Sequence, residues 1–261
     1  MTNHTTEQLL AILDQETAEG TTGMRTESER RNAAMQLGMT KDPAVVPGIL
    51  QRLRAEVPGC GVHETLTWAT VQHIDTALPE VLAMLTDTDP HLRRTGAHIL
   101  SKVGDPAHLD HLTPLVADDD VDVALKAYRA VAHSGGEQVE VALGALSGRL
   151  GDGDALQRDA LTAAFHRFGE AAVPALVAAL ADTDAEVREH AADALGHLGE
   201  DAAAAADALV GLASDEVDSV RLAAVSALGQ LGEAAHPALE RLAASDDPLV
   251  AAVATRFLAR A

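Results

Sequence analysis

The chain has 261 residues, of which 47% are hydrophobic and 2% aromatic, and its formal net charge is −21 at pH 7. This acidity favours solubility and opposes general affinity for DNA or for anionic membranes. The single cysteine, Cys60, excludes an internal disulfide and indicates a reducing compartment. The sequence shows no signal peptide and no apolar run near the ~18 residues of a membrane span. We therefore expect a cytoplasmic protein without membrane contact.

The chain is expected to be helical throughout. Residues 1–25 are predicted to hold one short helix, from about Glu7 to Leu13, and then a loop with the sequence AEGTTGMR. From residue 26 to residue 261, two helix types alternate, and we call them B and A. The B helices are predicted near 26–40, 61–74, 90–103, 121–134, 155–168, 185–198, 218–231 and 248–260. The A helices are predicted near 43–56, 76–86, 105–117, 137–150, 171–181, 201–213 and 234–244.

The clearest B helix has the sequence VREHAADALGHLG, at residues 187–199. Its apolar side chains fall at offsets 0, 4, 7, 8 and 11, the period of about 3.6 residues that a half-buried helix requires. The pattern returns as VRLAAVSALGQLG at 220–232 and, in degraded form, as LRRTGAHILSKVG at 92–104. Glycine commonly ends a helix where the chain turns left-handed. The glycines expected to do so are Gly104, Gly135, Gly169, Gly199 and Gly232.

One position near the start of each B helix shows the repeat most clearly. Arg188 occupies it in one helix, and the equivalent residues are spaced by steps of 30 to 34. They are Arg30, His63, Arg93, Ala124, Arg158, Arg221 and Ala251. A fixed period in this range is typical of a solenoid, in which each unit buries its apolar face against its neighbours. Asp89, Asp154 and Asp184 stand four residues before three of these arginines, in the acid-first order that is favourable on a helix, so we predict structural ladder or capping contacts for these residues rather than contacts with a ligand.

The string VR…A..ALG.LG, together with the VPALVAAL helix that begins at Val173, resembles a HEAT repeat of the short bacterial PBS-lyase HEAT-like type. The resemblance is close at 171–199 and 202–232, fair at 76–104 and loose elsewhere. It implies an all-α, right-handed superhelical solenoid of about eight HEAT-like helical hairpins, a single domain over 26–261. It also implies that the B helices line the concave side. Such repeats serve many unrelated functions, so the resemblance predicts the fold better than the activity.

If the B helices line a concave surface, the side chains opposite each buried stripe form its floor. Repeats three and four carry four cations and no acid at these positions, and the only tryptophan lies one repeat away. The candidate binding residues are Arg31, Asn32, Trp68, Arg94, His98, Lys102, Lys126, Arg129, His133 and Arg167. An exposed tryptophan beside cations is typical of a binding hot spot, and a cationic patch in an anionic body attracts anionic partners.

These features predict a non-catalytic scaffold protein, without a cofactor, whose concave groove holds an acidic peptide, an acidic protein face or an anionic small ligand. Nucleic acid is not expected as a partner, because the net charge opposes phosphate contacts. The alternative left open is a polar helix face on which a few arginines cluster by chance.

Metal binding is a second hypothesis, because the chain contains 12 histidines, one cysteine and five methionines. His108 and His111 would share one face of a helix, and Met35 and Met39 have a spacing that suits a soft metal such as Cu(I). Two ligands are fewer than the three or four that a metal site normally recruits, and the sequence has neither CxxC nor HExxH.

Enzymatic activity is a third hypothesis. The sequence has no nucleophile elbow, Walker or dinucleotide-binding motif, and Cys60 stands alone in a PGCG turn. Two HEAT-like families have activity. The alkylpurine DNA glycosylases use a basic, aromatic-rich concave surface with a central acid, and Trp68, Arg129 and Asp159 are loose counterparts whose spacing matches no transferable motif. The phycobilin lyases share the repeat, but no residue here carries their chemistry.

Overall fold

The computed structural model describes residues 4–14 and 23–259, and within the second range it describes side chains from residue 27 onward. All regular structure in these ranges is helical, and short 3-10 turns precede most of the odd-numbered helices. The α-helices are α1 (Thr6–Leu13), α2 (Gly23–Met39), α3 (Val46–Ala55), α4 (Gly61–Gln72), α5 (Ile74–Met84), α6 (Pro90–Val103), α7 (Leu109–Leu112), α8 (Val121–Ser134), α9 (Val139–Ser147), α10 (Ala155–His166), α11 (Val173–Ala179), α12 (Ala185–Leu198), α13 (Ala206–Leu212), α14 (Asp218–Leu228), α15 (His236–Ala243) and α16 (Pro248–Leu258).

The alternation of two helix types that the sequence predicts is confirmed. The even-numbered helices from α2 to α16 are the B helices, and each begins and ends within three residues of its predicted bounds. The odd-numbered helices from α3 to α15 are the A helices. Neighbouring B helices pack side by side, and each A helix packs on the B helix that follows it. The chain is therefore an all-α solenoid of stacked helical hairpins.

The prediction of one continuous A helix at 105–117 is wrong in detail. Pro106–His108 and Thr113–Ala117 are 3-10 turns, and only the four residues of α7 between them are α-helical. Pro114 has no amide hydrogen with which to continue an α-helix. Asp105 accepts a hydrogen bond from a backbone amide of the first turn at 2.9 Å, which stabilises a separate start.

The N-terminal helix α1 packs on the first hairpin. Thr5 and Gln8 form a capping box at its start, and Leu9 and Leu13 are buried where α1 lies against α2 and α3. Helix α2 begins at Gly23, inside the loop predicted for AEGTTGMR. The earlier part of that loop lies outside the described residues.

The apolar stripe predicted for α12 belongs to the core. Ala191, Ala194, Leu195 and Leu198 are buried, and Val187 is half-buried against them. Equivalent side chains on the other B helices continue this core along the stack, and alanine is frequent among them because a small side chain lets helix axes approach closely. No helix in the described ranges combines the length and the apolar character that crossing a bilayer would require.

The repeated arginines have the structural role expected of them, and their carboxylate partners belong to other repeats. Arg188 donates to both carboxylate oxygens of Asp215, at 2.8 and 2.9 Å, and to two backbone carbonyls. The ion pairs of this kind are Arg30–Glu56, Arg93–Asp118, Arg158–Glu186, Arg188–Asp215 and Arg221–Asp247. The aspartates that stand four residues before an arginine cap their own helices instead, and they are Asp89, Asp154 and Asp184.

The difference between the capping aspartates and the arginines that link repeats follows from side-chain length. A short aspartate at an N-cap folds back onto the backbone amides of its own first turn. A guanidinium reaches farther and can grip both oxygens of a carboxylate, so it links one B helix to the start of the next. The arginines therefore join neighbouring repeats rather than stabilise single helices.

The glycines that follow the B helices do not all act alike. Gly104 ends α6 in the left-handed region, with φ of +66°, and Gly199 ends α12 with φ of +60°, as expected. Gly135 differs, because its φ is −76°. A Cβ atom there would lie 2.6 Å from the Cβ of Ala142, so close packing is what requires glycine at that position. Gly135 therefore ends α8 as predicted, but without a left-handed turn.

Candidate binding surface on the B helices

The side chains predicted to line a groove come from the B helices α2 to α10, and we call the side of these helices that carries them the B-helix face. One cavity is shared by α2 and α4, and a second by α8 and α10. Between them, His98 of α6 is hydrogen-bonded to Glu64 of α4 at 3.1 Å. Lys126 of α8 lies close enough to Arg94 of α6 for the two charges to repel each other. These residues stand on the helices between the two cavities.

Neighbouring B helices pack against one another along the stack. Burial lowers the pKa of Lys126 on α8, helped by the charge of Arg94. On α12, burial raises the pKa of Asp193, helped by the charge of Glu189.

The end of the face nearest the N-terminus is apolar. The cavity between α2 and α4 has a volume of about 500 Å³ and is lined mainly by Met35, Met39 and Trp68, with Arg31 at its edge. The two methionines are 44% and 67% exposed, which is unusual for such large apolar side chains. Asn32, also predicted for this surface, is exposed and makes no side-chain hydrogen bond to another described residue.

Trp68 both packs and faces the cavity. Its ring lies so close to Gly38 of α2 that a Cβ atom there would be 2.5 Å from it, so one side of the indole is held between helices. The other side remains partly exposed and lines the cavity. The tryptophan is therefore a rigid apolar element of the surface.

Glu64, which the register of the repeats places on the floor of the groove, lies among the cations at the centre of the face. Its carboxylate is hydrogen-bonded to His98 and lies 4.0 Å from the Nζ of Lys102. His98 is only 5% exposed, so its prediction as a surface binding residue is wrong. Burial lowers the pKa of His98, and the Glu64 carboxylate opposes that shift. His98 thus positions Glu64, and Lys102 is partly neutralised.

The remaining cations of the face lack acidic partners. Most described lysines and arginines have a carboxylate oxygen within 4.0 Å. Among the described residues, those on this face with no such partner are Arg31, Arg94, Lys126, Arg129 and Arg167. Lys41 and Arg256 are the other two in the same ranges. In a chain with 40 acidic and 19 basic residues, five unpaired cations on one surface are a pronounced concentration.

The cavity between α8 and α10 has a volume of about 480 Å³. Its polar lining residues are Arg129 and His133 of α8, with His166 and Arg167 at the end of α10. Its walls are aliphatic and consist of Leu125, Ala132, Ala160, Ala163 and Ala164. His166 was not among the predicted residues. Its signal in the sequence was its place in the last turn of a B helix, directly before Arg167.

Beyond α10, the equivalent positions of the next B helix are acidic. Glu189 of α12 stands at the position that Arg94 occupies on α6, and Asp193 at the position that Arg129 occupies on α8. Like charge at Glu189 contributes to the raised pKa of Asp193, so these carboxylates repel each other and would repel any third one. The cationic part of the face therefore has a defined end.

The metal hypothesis gains no support from the structure. In the described ranges, no three histidine, cysteine or acidic side chains converge as metal ligands would. His108 closes a 3-10 turn and lies 4.0 Å from Asp105, whereas His111 is exposed on α7.

The glycosylase-like combination is also not assembled. Trp68 lies on α4 and Asp159 on α10, three B helices apart, which is roughly 25 to 30 Å at normal helix spacing. That separation is far too large for one base-binding pocket. Cys60 caps α4, where its sulfur accepts a hydrogen bond from the amide of His63 at 3.4 Å.

Several solved structures share this architecture. The karyopherin Kap121p, bound to the extreme C-terminus of the protein phosphatase Cdc14p, aligns with 99% of this chain at 13% identity and a TM-score of 0.64. This chain spans 34% of the karyopherin's length. A structure of microtubule plus-end tracking by XMAP215, CLIP-170 and EB1 aligns over 71% of this chain and 92% of its own, at 17% identity and a TM-score of 0.57.

The complex of CpcE and CpcF of phycocyanin lyase from Nostoc sp. aligns over 100% of this chain and 96% of its own, at 20% identity and a TM-score of 0.43. No curated protein sequence matches the chain. The model of HEAT repeats matches residues 64–133, 143–216 and 173–259, which together make up more than half of the sequence. The chain belongs to the family of HEAT-repeat proteins.

Proposed function

We propose that this chain is a non-catalytic binding scaffold whose B-helix face holds an acidic segment of a partner protein. The observation that carries the proposal is the group of cations without acidic partners on a strongly acidic chain. Elsewhere in the solenoid, arginines of the same repeat pattern are paired with carboxylates. The cations of the face crowd one another, and the charges of Arg94, Arg129 and Lys102 help to lower the pKa of Lys126. An anionic partner would relieve this repulsion.

The apolar cavity adds a second element of recognition. Met35, Met39 and Trp68 offer a partly exposed apolar surface beside the cations, and such surfaces commonly bind an apolar anchor of the partner. The centre of this cavity and that of the α8–α10 cavity are three helix spacings apart, roughly 25 to 30 Å. An extended peptide covers that distance in about eight residues, at about 3.3 Å each.

The acidic end of the face would limit how the segment lies. Carboxylates of the partner are attracted over α6 to α10 and repelled over α12, where Glu189 and Asp193 stand. The partner is thus an extended, acidic segment with a large apolar residue toward its end over α2 and α4. Among proteins of the same fold, the karyopherin is seen bound to a terminal segment of another protein.

Reversing two cations of the face should weaken this binding selectively. The probe is a fluorescent peptide of about twelve residues, mostly glutamate with one leucine near an end, at about 25 mM salt so that screening is weak. For the variant Arg94→Glu/Lys126→Glu, the dissociation constant should rise at least about tenfold. Arg129 and Arg167 are left intact. The measurement is fluorescence anisotropy.

The matched control is Lys41→Glu/Arg241→Glu, which makes the same change of net charge away from the face. Lys41 lies in the connection after α2, and Arg241 is exposed on the A helix α15. Its dissociation constant should stay within about twofold of the parent's. Equal effects of both variants, or no peptide binding by the parent at low salt, would show that the proposed function is wrong.

A further inference from the structure

The cavity between α8 and α10 is set apart by its charge. Its titratable lining residues are Arg129, His133, His166 and Arg167, and none is a carboxylate. Four other cavities of comparable size in the described ranges each include at least one carboxylate, such as Glu64 beside Arg31 or Glu80 beside Arg54. Two of those cavities balance an arginine against a glutamate and the other two are acidic, whereas this one is cationic.

We propose that this cavity binds the phosphate group of a phosphorylated ligand, with Arg129 and Arg167 as its two guanidinium donors. Such a site is part of the anion-binding B-helix face, so it rests on the function proposed above. This proposal goes further because it specifies the chemical group that binds, a phosphate, and the cavity that binds it. The chemistry is that of a phosphate monoester, whether attached to a protein side chain or to a small molecule.

The charge of the cavity matches phosphate better than carboxylate. A phosphate monoester carries about −1.5 to −2 charges at neutral pH, and two arginines supply two positive charges. A single carboxylate would neutralise only one of them. Neither guanidinium is hydrogen-bonded to another described residue, so the side-chain donors of both remain available. Paired guanidinium groups that converge on one space are a common means of recognising phosphate.

Two arginines from neighbouring B helices line this cavity, Arg129 from α8 and Arg167 from the end of α10. Burial lowers the pKa of His133, which lines the same cavity, and the charges of Arg167 and Arg129 lower it further, against an opposing hydrogen bond to the backbone of Ser101. Both positive charges therefore lie near one imidazole of the cavity.

The shape of the cavity suits a small anionic group. Its volume of about 480 Å³ lies within the range of pockets that hold small ligands, about 300 to 1,000 Å³. Four alanines in its walls, two of them Ala160 and Ala163 on α10, leave the space that larger side chains would fill. Apolar walls also exclude water from one side, which strengthens the attraction between the guanidinium groups and an anion.

The test is binding of inorganic phosphate, followed by ³¹P NMR and by calorimetry. Arg129→Gln and Arg167→Gln should each weaken phosphate binding about tenfold or more, as loss of a charge-assisted contact does. The control Arg31→Gln removes an unpaired arginine from the same face at the other cavity, and it should change the dissociation constant less than about twofold. Acetate should bind about tenfold more weakly than phosphate. Thermal melting of each variant checks that the fold persists. We expect the fold to persist because all three arginines are exposed.

Other results would overturn the phosphate site. If phosphate and acetate bind with equal affinity, the cavity has only general attraction for anions. If Arg31→Gln weakens the binding of phosphate as much as Arg129→Gln does, the phosphate site is not between α8 and α10. If phosphate does not bind while the acidic peptide still binds through Arg94 and Lys126, the phosphate site fails and the proposed function stands. If phosphate binds through Arg129 and Arg167 while the acidic peptide does not bind, the phosphate site stands and the proposed function is wrong.

Two further probes identify the source of the phosphate. The first is a phosphoserine in a peptide of about eight neutral residues, and the second is glycerol phosphate. If the peptide binds at least about tenfold more tightly than inorganic phosphate, the ligand is a phosphorylated protein segment. If glycerol phosphate binds as tightly as the peptide, the ligand is a small phosphate ester.

Discussion

Replacing Arg30 with methionine is expected to lower the free energy of unfolding by about 3 kcal/mol, as removal of one partner of a buried ion pair does. Arg30 is only 5% exposed. Its Nε donates to the carbonyl of Leu13 at 3.2 Å, and its Nη2 pairs with the carboxylate of Glu56. Methionine fills similar space but donates to neither acceptor, so the carbonyl of Leu13 loses its buried donor and Glu56 keeps only Arg52 as an ion-pair partner. Denaturation with urea measures the loss.

The control for this substitution is Arg54→Met. Arg54 pairs with Glu80 at 2.6 Å, but the two side chains are 41% and 58% exposed. Because water solvates both charges when the pair is broken, the expected loss is below about 1 kcal/mol. Equal losses for the two variants would mean that the buried link between α1, α2 and the end of α3 contributes no more than a surface ion pair.

Acidification is expected to destabilise the protein by about 3 kcal/mol through His63 alone. His63 is fully buried on α4, and its Nε2 lies 3.2 Å from the hydroxyl oxygen of Thr95. Burial lowers its pKa from 6.5 to about 4, with Glu64 opposing the shift and His91 adding to it. Between these two values the unfolded chain binds a proton at this residue and the folded chain does not.

The direction of the effect follows from that difference in protonation. The stability contribution is fully present above pH 6.5 and is lost progressively as the pH falls to about 4. His63→Gln removes the titrating group and should flatten this part of the profile. The measurement is urea denaturation of both proteins at several pH values between about 7 and 4. Parallel profiles of the parent and the variant would contradict the buried, neutral histidine.

The repeat pattern predicted the B helices well because burial alone sets their period. Each B helix is buried along a stripe that recurs every 3.6 residues, and this regularity is visible in one helix such as α12. The A helices were less predictable. Their starts depend on prolines and caps such as Pro106 and Asp105, and Pro114 interrupts the A helix predicted at 105–117.

Contacts between repeats could not be predicted from spacing within one helix. Arg93 is four residues from Asp89 in sequence, yet it pairs with Asp118, 25 residues away, because the loop before α8 comes back to it in space. Glu64 reached the cations of α6 for the same reason, since its neighbours are set by how α4 lies on α6.

The candidate site was only partly predictable from the sequence. The register of the B helices predicts that Arg94, Lys126 and Arg129 share one surface. It gave no account of which cations would lack acidic partners, because that depends on carboxylates from other repeats. The cavity beside Arg129 was also not foreseen, since it arises where small alanines of α10 face α8.

The most direct test of the anion-binding face is to watch individual guanidinium groups while the acidic peptide is added. Side-chain Nε–Hε signals of arginine in a ¹⁵N-labelled protein report on each group separately. We expect the signals of Arg94 and Arg129 to shift with added peptide, while those of Arg54 and Arg241 stay unchanged. Equal shifts at all four, or no shift at Arg94 and Arg129, would contradict a binding surface on the B helices.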